Sequence, residues 1–103
     1  MKPSHPGSIL LGMIEGLREE TKDTFTLTEI AEGLNVSIVL LSDILEQKES
    51  ITPEIAVKLS EAFQTEADLW LSLQKKHDLW HAEKTVKREE IRHFVINRIS
   101  KVA

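Results

Sequence analysis

The 103-residue sequence has no cysteine, only three prolines, only four glycines and no long hydrophobic run. Without cysteine, the chain can form neither a disulfide framework nor a thiolate metal site. Four scattered glycines leave no glycine-rich loop that could hold a phosphate. The longest apolar runs, such as residues 38–41, fall far short of the roughly 18 residues of a transmembrane helix, and the N-terminus does not resemble a signal peptide. We expect one small domain in the cytoplasm.

The histidines, serines and acidic residues form no recognisable catalytic arrangement. His77 and His81 stand four residues apart. This spacing on a helix can hold a metal ion, but no third ligand follows at a clear spacing. We interpret both as ordinary surface or interface histidines. The sequence therefore predicts a protein that is not an enzyme, with no catalytic, metal or cofactor site.

Charge is distributed unevenly along the chain, although the net charge is only −4. Residues 84–103 contain six basic and two acidic residues, whereas residues 1–83 contain seven basic and fifteen acidic residues. A nucleic-acid binder usually carries a basic footprint, and here only the tail is basic. The acidic body suits a basic partner, and a basic protein fits this description.

Apolar residues recur about every 3.6 positions along most of the chain, which predicts an all-α protein. Local start signals support this pattern: Thr26 with Glu29 forms a capping-box sequence, Ser37 is a good N-cap, and Thr52 precedes Pro53. We predict helices from just after Gly7 to about Glu19, from Thr26 or Thr28, from Ser37, from Thr52, from the Thr65–Asp68 segment, and from about Lys87.

The stretch from Leu27 to Ile44 has the spacing of a helix-turn-helix. Ala31 supplies the small residue at which the first helix of the motif packs closest to the second. Asn35 stands four residues later, at a sharp turn where a positive φ favours glycine or asparagine. Leu41 and Ile44 then follow at the positions where the second helix packs on its scaffold. An ordinary helix hairpin is the alternative interpretation of this spacing alone.

With its flanks, this stretch resembles the HigA-type antitoxins, also called VapI-like or plasmid-maintenance antidote proteins, of the XRE/Cro helix-turn-helix group. The resemblance runs from about His5 to Glu83, and its most specific segments are Ile51-Thr52-Pro53-Glu54 and Trp70-Leu71-x-Leu73-Gln74. The chain departs from the family pattern in a longer linker between the first two helices. It also has Gln47 where the family has a glycine after the second helix of the motif.

The resemblance implies a five- to six-helix, lambda-repressor-like (XRE) helix-turn-helix domain, all-α and usually dimeric. It implies an antitoxin of a type II toxin–antitoxin pair that neutralises a basic RNase toxin and represses its own operon. The expected partners are therefore operator DNA, the cognate toxin and a second copy of the chain. Residues 1–83 would form this domain. Residues 84–103 would add a basic amphipathic helix to the same unit.

The residues expected to face DNA have an unusual character. Where the family tends to carry arginine and polar residues, this chain has Ile38, Val39, Leu40 and Asp43. Candidates for DNA contact are Thr28, Ser37, Ile38, Val39, Ser42 and Lys48. Arginine, lysine, asparagine and glutamine normally read base edges, and apolar side chains can contact only thymine methyl groups. The alternative is a protein-interaction module with a degenerate helix-turn-helix, whose apolar face is buried by a second subunit, the toxin or the basic tail.

Two other features admit more than one interpretation. Trp70 and Trp80 could line a ligand pocket, but we interpret them as core and dimer anchors, because large aromatics dominate burial in small helical proteins. The tail places Ile91, Phe94, Val95, Ile99 and Val102 on one helical stripe, which must pack on something. A docked helix and a phosphate-binding arm both remain open for this tail.

Overall fold

The computed structural model describes residues 2–22 and 24–95, and these form five α-helices, one 3-10 turn and no strand. The helices are α1 (Pro6–Thr21), α2 (Leu27–Leu34), α3 (Ile38–Leu45), α4 (Pro53–Phe63) and α5 (Ala67–Thr85). The predicted all-α helix-turn-helix fold is therefore confirmed. Among the described residues, no helix is both long and apolar enough to cross a membrane.

Most helices begin at the local signals found in the sequence. Thr26 accepts the Glu29 backbone N–H, and the Glu29 carboxylate accepts the Thr26 N–H at 3.1 Å, which completes the capping box of α2. Thr52 caps α4 and Pro53 is its first helical residue. The fifth helix differs, because its N-cap residue Glu66 makes no side-chain cap bond.

The buried core takes side chains from all five helices, including α2 and α3 of the helix-turn-helix. Trp70 is fully buried in this core, which confirms the predicted core role. The Trp70 indole N–H donates to Thr65 Oγ1 at 2.8 Å, so burial leaves this polar group satisfied. The other buried hydrophobic residues are Leu10, Ile14, Ile30, Ala31, Leu34, Leu41, Ile44, Ile51, Ile55, Ala56 and Leu59.

The first helix is seated directly on the end of α3. It begins two residues earlier than predicted, at Pro6, with His5 as N-cap, and it continues to Thr21. The His5 Nδ1 atom accepts the Gly7 backbone N–H at 2.8 Å, and both residues are buried. Gly7 lies so close to the Ile44 carbonyl that a Cβ atom would overlap with it. A side chain at this position would separate the two helices.

The tail differs from the sequence prediction. Residues 88–90 form a single 3-10 turn, and residues 91–95 have no regular secondary structure, so the helix predicted from Lys87 is absent from the described part of the tail. Ile91, Phe94 and Val95 are exposed there, at 58%, 80% and 69%. A short amphipathic helix is stabilised mainly by burial of its apolar face. In this single chain, the side chains of Ile91, Phe94 and Val95 are not buried. Ile99 and Val102 lie outside the described residues.

Candidate nucleic-acid interface

The turn between α2 and α3 has the geometry that the sequence predicted. Asn35 ends α2 in the left-handed region, with φ 56° and ψ 47°. Its N–H donates to the Glu32 carbonyl, and the Val36 N–H donates to the Ala31 carbonyl, both at 3.0 Å. These bonds satisfy carbonyls that the end of α2 would otherwise leave without a partner. The second helix of the motif therefore leaves the first at a defined angle.

A second left-handed residue follows α3. Gln47 adopts φ 65°, and this is the position at which the resembled family has glycine. A non-glycine residue is strained there, but the conformation allows the Lys48 N–H to donate to the Asp43 carbonyl at 2.7 Å. Like α2, α3 is therefore followed by a residue in the left-handed region, although this residue is not a glycine.

Lys58 ties the turn to α4, a contact that sequence analysis did not foresee. Its Nζ atom donates to the Asn35 carbonyl at 2.9 Å and lies 3.4 Å from a carboxylate oxygen of Glu54. The Glu54–Lys58 spacing indicates an ordinary pair of neighbours on a helix surface. Only the packing of α2 against α4 brings the lysine to Asn35. This bond attaches the turn that precedes α3 to α4.

The outward face of α3 is set by helical spacing. Ser37 caps the helix by accepting the Leu40 N–H at 3.0 Å. Leu41 and Ile44 turn into the core, at 1% exposure each, whereas Ile38 and Val39 are 40% and 66% exposed. Leu40 packs at the edge of the core and is only partly exposed, so it does not extend the apolar surface as the sequence suggested. The exposed apolar surface of α3 consists of Ile38 and Val39.

The structure places the predicted DNA contacts on α2, on α3 and on the segments that flank α3. Ile38, Val39 and Ser42 share the outward face of α3, where Ser42 is half-buried. Thr28 is exposed in the first turn of α2, and Ser37 is exposed at the junction of the motif. Lys48 is exposed beyond the end of α3. Contact of these six residues with DNA remains a prediction.

The side chains around the outward face of α3 include two carboxylates. Asp43 is half-buried on α3, and Glu46 is exposed at the C-cap of this helix. The Lys48 Nζ atom lies 3.2 Å from a carboxylate oxygen of Glu46, with both side chains mostly exposed. Exposed pairs of this kind contribute at most about 1 kcal/mol, so the lysine can be drawn away by a stronger anion such as a phosphate. In this structure, the charge of Lys48 is therefore partly neutralised by Glu46.

Histidines cluster away from this face, where the start of α1 meets α5. The His77 ring lies 4.8 Å from the His5 ring and 4.5 Å from the His81 ring, between ring centroids. Within residues 2–22 and 24–95, no three His, Asp or Glu side chains are placed to hold a metal ion. Burial lowers the pKa of His5 below 6.5, and neighbouring His77 lowers it further, while Asp78 and a hydrogen bond with the Glu49 backbone oppose the shift.

Trp80 is half-buried, unlike Trp70. The ammonium groups of Lys2 and Lys84 lie 5.7 Å and 4.6 Å from the centre of its ring. Cations at these distances are attracted to the face of an indole ring. The role of Trp80 as a dimer anchor remains a prediction.

Comparison with known proteins places this geometry among helix-turn-helix proteins. The helix-turn-helix family model HTH_3 matches residues 15–70. The HTH-type transcriptional regulator YbaQ of Escherichia coli strain K12 is 34% identical over 90 residues, which cover 86% of this chain and 74% of that protein.

Solved structures agree with this match. The structure of an antidote protein of a plasmid maintenance system from Nostoc punctiforme aligns with a TM-score of 0.76 at 32% identity. The alignment covers 87% of this chain and 92% of that one. Antitoxin HigA of Pseudomonas aeruginosa, solved with the higBA promoter, aligns with a TM-score of 0.69 at 26% identity, covering 91% of this chain and 100% of HigA.

Proposed function

Since this chain belongs to the XRE-type helix-turn-helix family of regulators and antitoxins, we propose that it represses transcription by binding operator DNA. The single observation that carries the proposal is the pairing of α2 and α3 across the Asn35 turn, with the outward face of α3 left exposed. A helix held in this way fits the major groove of B-DNA. Such a repressor acts in the cytoplasm, where bacterial DNA lies.

The protein binds its operator as a homodimer in this proposal. Two α3 helices related by a twofold axis would enter successive major grooves about 34 Å apart. The operator is then a palindrome whose half-sites are one helical turn apart. HigA of P. aeruginosa, solved with its promoter, provides the structural precedent.

The test is fluorescence anisotropy of the protein with its own upstream DNA and with a scrambled duplex, over a series of salt concentrations. Val39→Asp places a charge on the exposed face of α3 and is expected to abolish specific binding. Val86→Asp is the matched control, because Val86 is 50% exposed and follows α5, outside the motif. Equal effects of the two variants, or no preference for the upstream DNA, would contradict the proposal.

A second candidate function is protein interaction without DNA binding. The observation that favours it is the lack of lysine or arginine on the outward face of α3, which instead carries Glu46 and Asp43. Each phosphate neutralised by a basic residue contributes a salt slope of about −0.9, and this face supplies almost none. In the anisotropy experiment, absence of binding at every salt concentration would support this alternative. Equal, salt-sensitive binding to both duplexes would point to the basic tail.

We further propose that the protein acts as an antitoxin, with a basic RNase toxin as its partner. Support comes from the acidic body, since residues 1–83 carry fifteen acidic and seven basic residues. Opposite charge would speed the association of the two proteins. The test is to express the product of the neighbouring gene alone and together with this protein. Growth arrest that this protein relieves is the expected result, and a harmless neighbour would refute the toxin assignment without affecting operator binding.

A further inference from the structure

The outward face of α3 combines apolar and acidic side chains. With 3.6 residues per turn, Ile38, Val39 and Ser42 fall within an arc of about 100°, opposite the buried Leu41 and Ile44, and Glu46 follows as the C-cap of α3. Asp43 lies at one flank of this arc and is half-buried. No arginine, lysine, asparagine or glutamine lies on the arc. A helix of this composition cannot read DNA by the usual bidentate hydrogen bonds.

The outward face of α3 lacks the side chains that normally recognise guanine. Guanine presents two acceptors in the major groove and is read by arginine or lysine, which α3 lacks. The carboxylates of Asp43 and Glu46 would repel guanine acceptors but can accept from the exocyclic amine of adenine or cytosine. The Ser37 oxygen already accepts the Leu40 N–H. What α3 offers for recognition is a pair of exposed aliphatic side chains with carboxylates beside them and the half-buried hydroxyl of Ser42.

We propose that Ile38 and Val39 read thymine methyl groups in an A·T-rich half-site, an inference that rests on the operator binding proposed above. The C5-methyl group of thymine is the apolar feature that the unmodified bases present in the major groove. The paired adenine offers its N6 amine to the neighbouring carboxylate. An A·T pair therefore matches both kinds of side chain on α3, whereas a G·C pair matches only the carboxylates.

The exposure of the two side chains sets the size of the effect. Val39 is 66% exposed and Ile38 is 40% exposed in the free chain, so both have apolar surface that DNA can cover. Burying one methyl group contributes a factor of about four in affinity. Two contacted methyl groups in one half-site would therefore contribute about fifteenfold. This contribution carries no charge, so it leaves the salt slope unchanged.

The experiment replaces single thymines of the upstream DNA by deoxyuridine, which removes the methyl group and keeps the base pair. Anisotropy titrations compare the thymine duplex with each deoxyuridine duplex, and a deoxyuridine outside the footprint serves as the matched control. We expect about fourfold weaker binding at each contacted thymine, with an unchanged salt slope. With Val39→Ala, the duplexes that differ at the thymine read by Val39 should bind equally.

The outcomes separate this inference from the proposed function. Specific binding that is equal for thymine and deoxyuridine duplexes would overturn methyl reading while operator binding stands. The same holds if Val39→Ala and Ile38→Ala leave every deoxyuridine effect unchanged. Loss of specific binding to the unmodified upstream DNA would instead overturn the proposed function, and α3 would then be a surface for protein contact.

Discussion

The contact between Gly7 and the Ile44 carbonyl makes a sharp stability prediction for the variant Gly7→Ala. A Cβ atom at this position would overlap with the Ile44 carbonyl oxygen and would lie 3.0 Å from His5 Nδ1. The carbonyl is backbone and cannot move without displacing the end of α3. Overpacking of this kind costs about 1–3 kcal/mol, and disturbing the His5 cap costs about 1 kcal/mol more. We expect a total loss of about 2–4 kcal/mol in the free energy of unfolding.

Gly12 provides the matched control within the same helix. No atom lies within 4 Å of the position that a Cβ would occupy there. Gly12→Ala should therefore stabilise the protein by about 0.5–1 kcal/mol, since alanine is the better helix former. Thermal unfolding followed by circular dichroism would separate the two, because 1 kcal/mol shifts Tm by about 4–8 °C in a domain of this size. A Gly7→Ala protein at least as stable as the parent would refute the seating of α1 on α3.

Three further predictions concern polar contacts. Thr65→Val removes the acceptor of the buried Trp70 indole N–H and should cost about 1–3 kcal/mol in urea unfolding; an unchanged midpoint would mean that the bond contributes nothing. The lowered pKa of His5 means that the unfolded chain takes up the proton first, so Tm should fall as pH drops through 6.5 toward the lowered folded-state pKa. His5→Asn keeps an N-cap acceptor and should show a smaller fall, whereas an equal fall would place the effect on other histidines. Glu46→Gln releases Lys48 and should steepen the log-log salt slope of DNA binding by up to about 0.9; an unchanged slope would place the lysine away from phosphates.

Helix starts and turns could be predicted because their causes are local. The Thr26–Glu29 capping box and the Ser37 N-cap involve groups three residues apart, and Asn35 needs only its own backbone conformation to turn the chain. The family resemblance, whose most specific segments are residues 51–54 and 70–74, is confirmed by the helix-turn-helix family match over residues 15–70 together with the similarity to the antidote protein of N. punctiforme.

The tail shows where periodicity is insufficient. Its apolar spacing predicted a helix from Lys87, but residues 91–95 are irregular and their apolar side chains are exposed. Periodicity states which side chains could share a face, whereas helix formation in a short segment requires a surface on which that face is buried. Spacing along the chain contains no information on whether such a surface is present.

The sequence alone predicted the helix caps, the turn at Asn35 and the residues that form the buried stripes. These features depend on residues that are close together in the sequence, whose interactions are nearly independent of the rest of the fold. Three contacts between segments distant in the sequence were not predicted: Lys58 with the Asn35 carbonyl, Gln74 with the Ile51 N–H, and Gly7 against Ile44. The first two join groups 23 residues apart in the chain. Neither partner of such a contact has a local preference for the other, so only the packing of the helices brings them together.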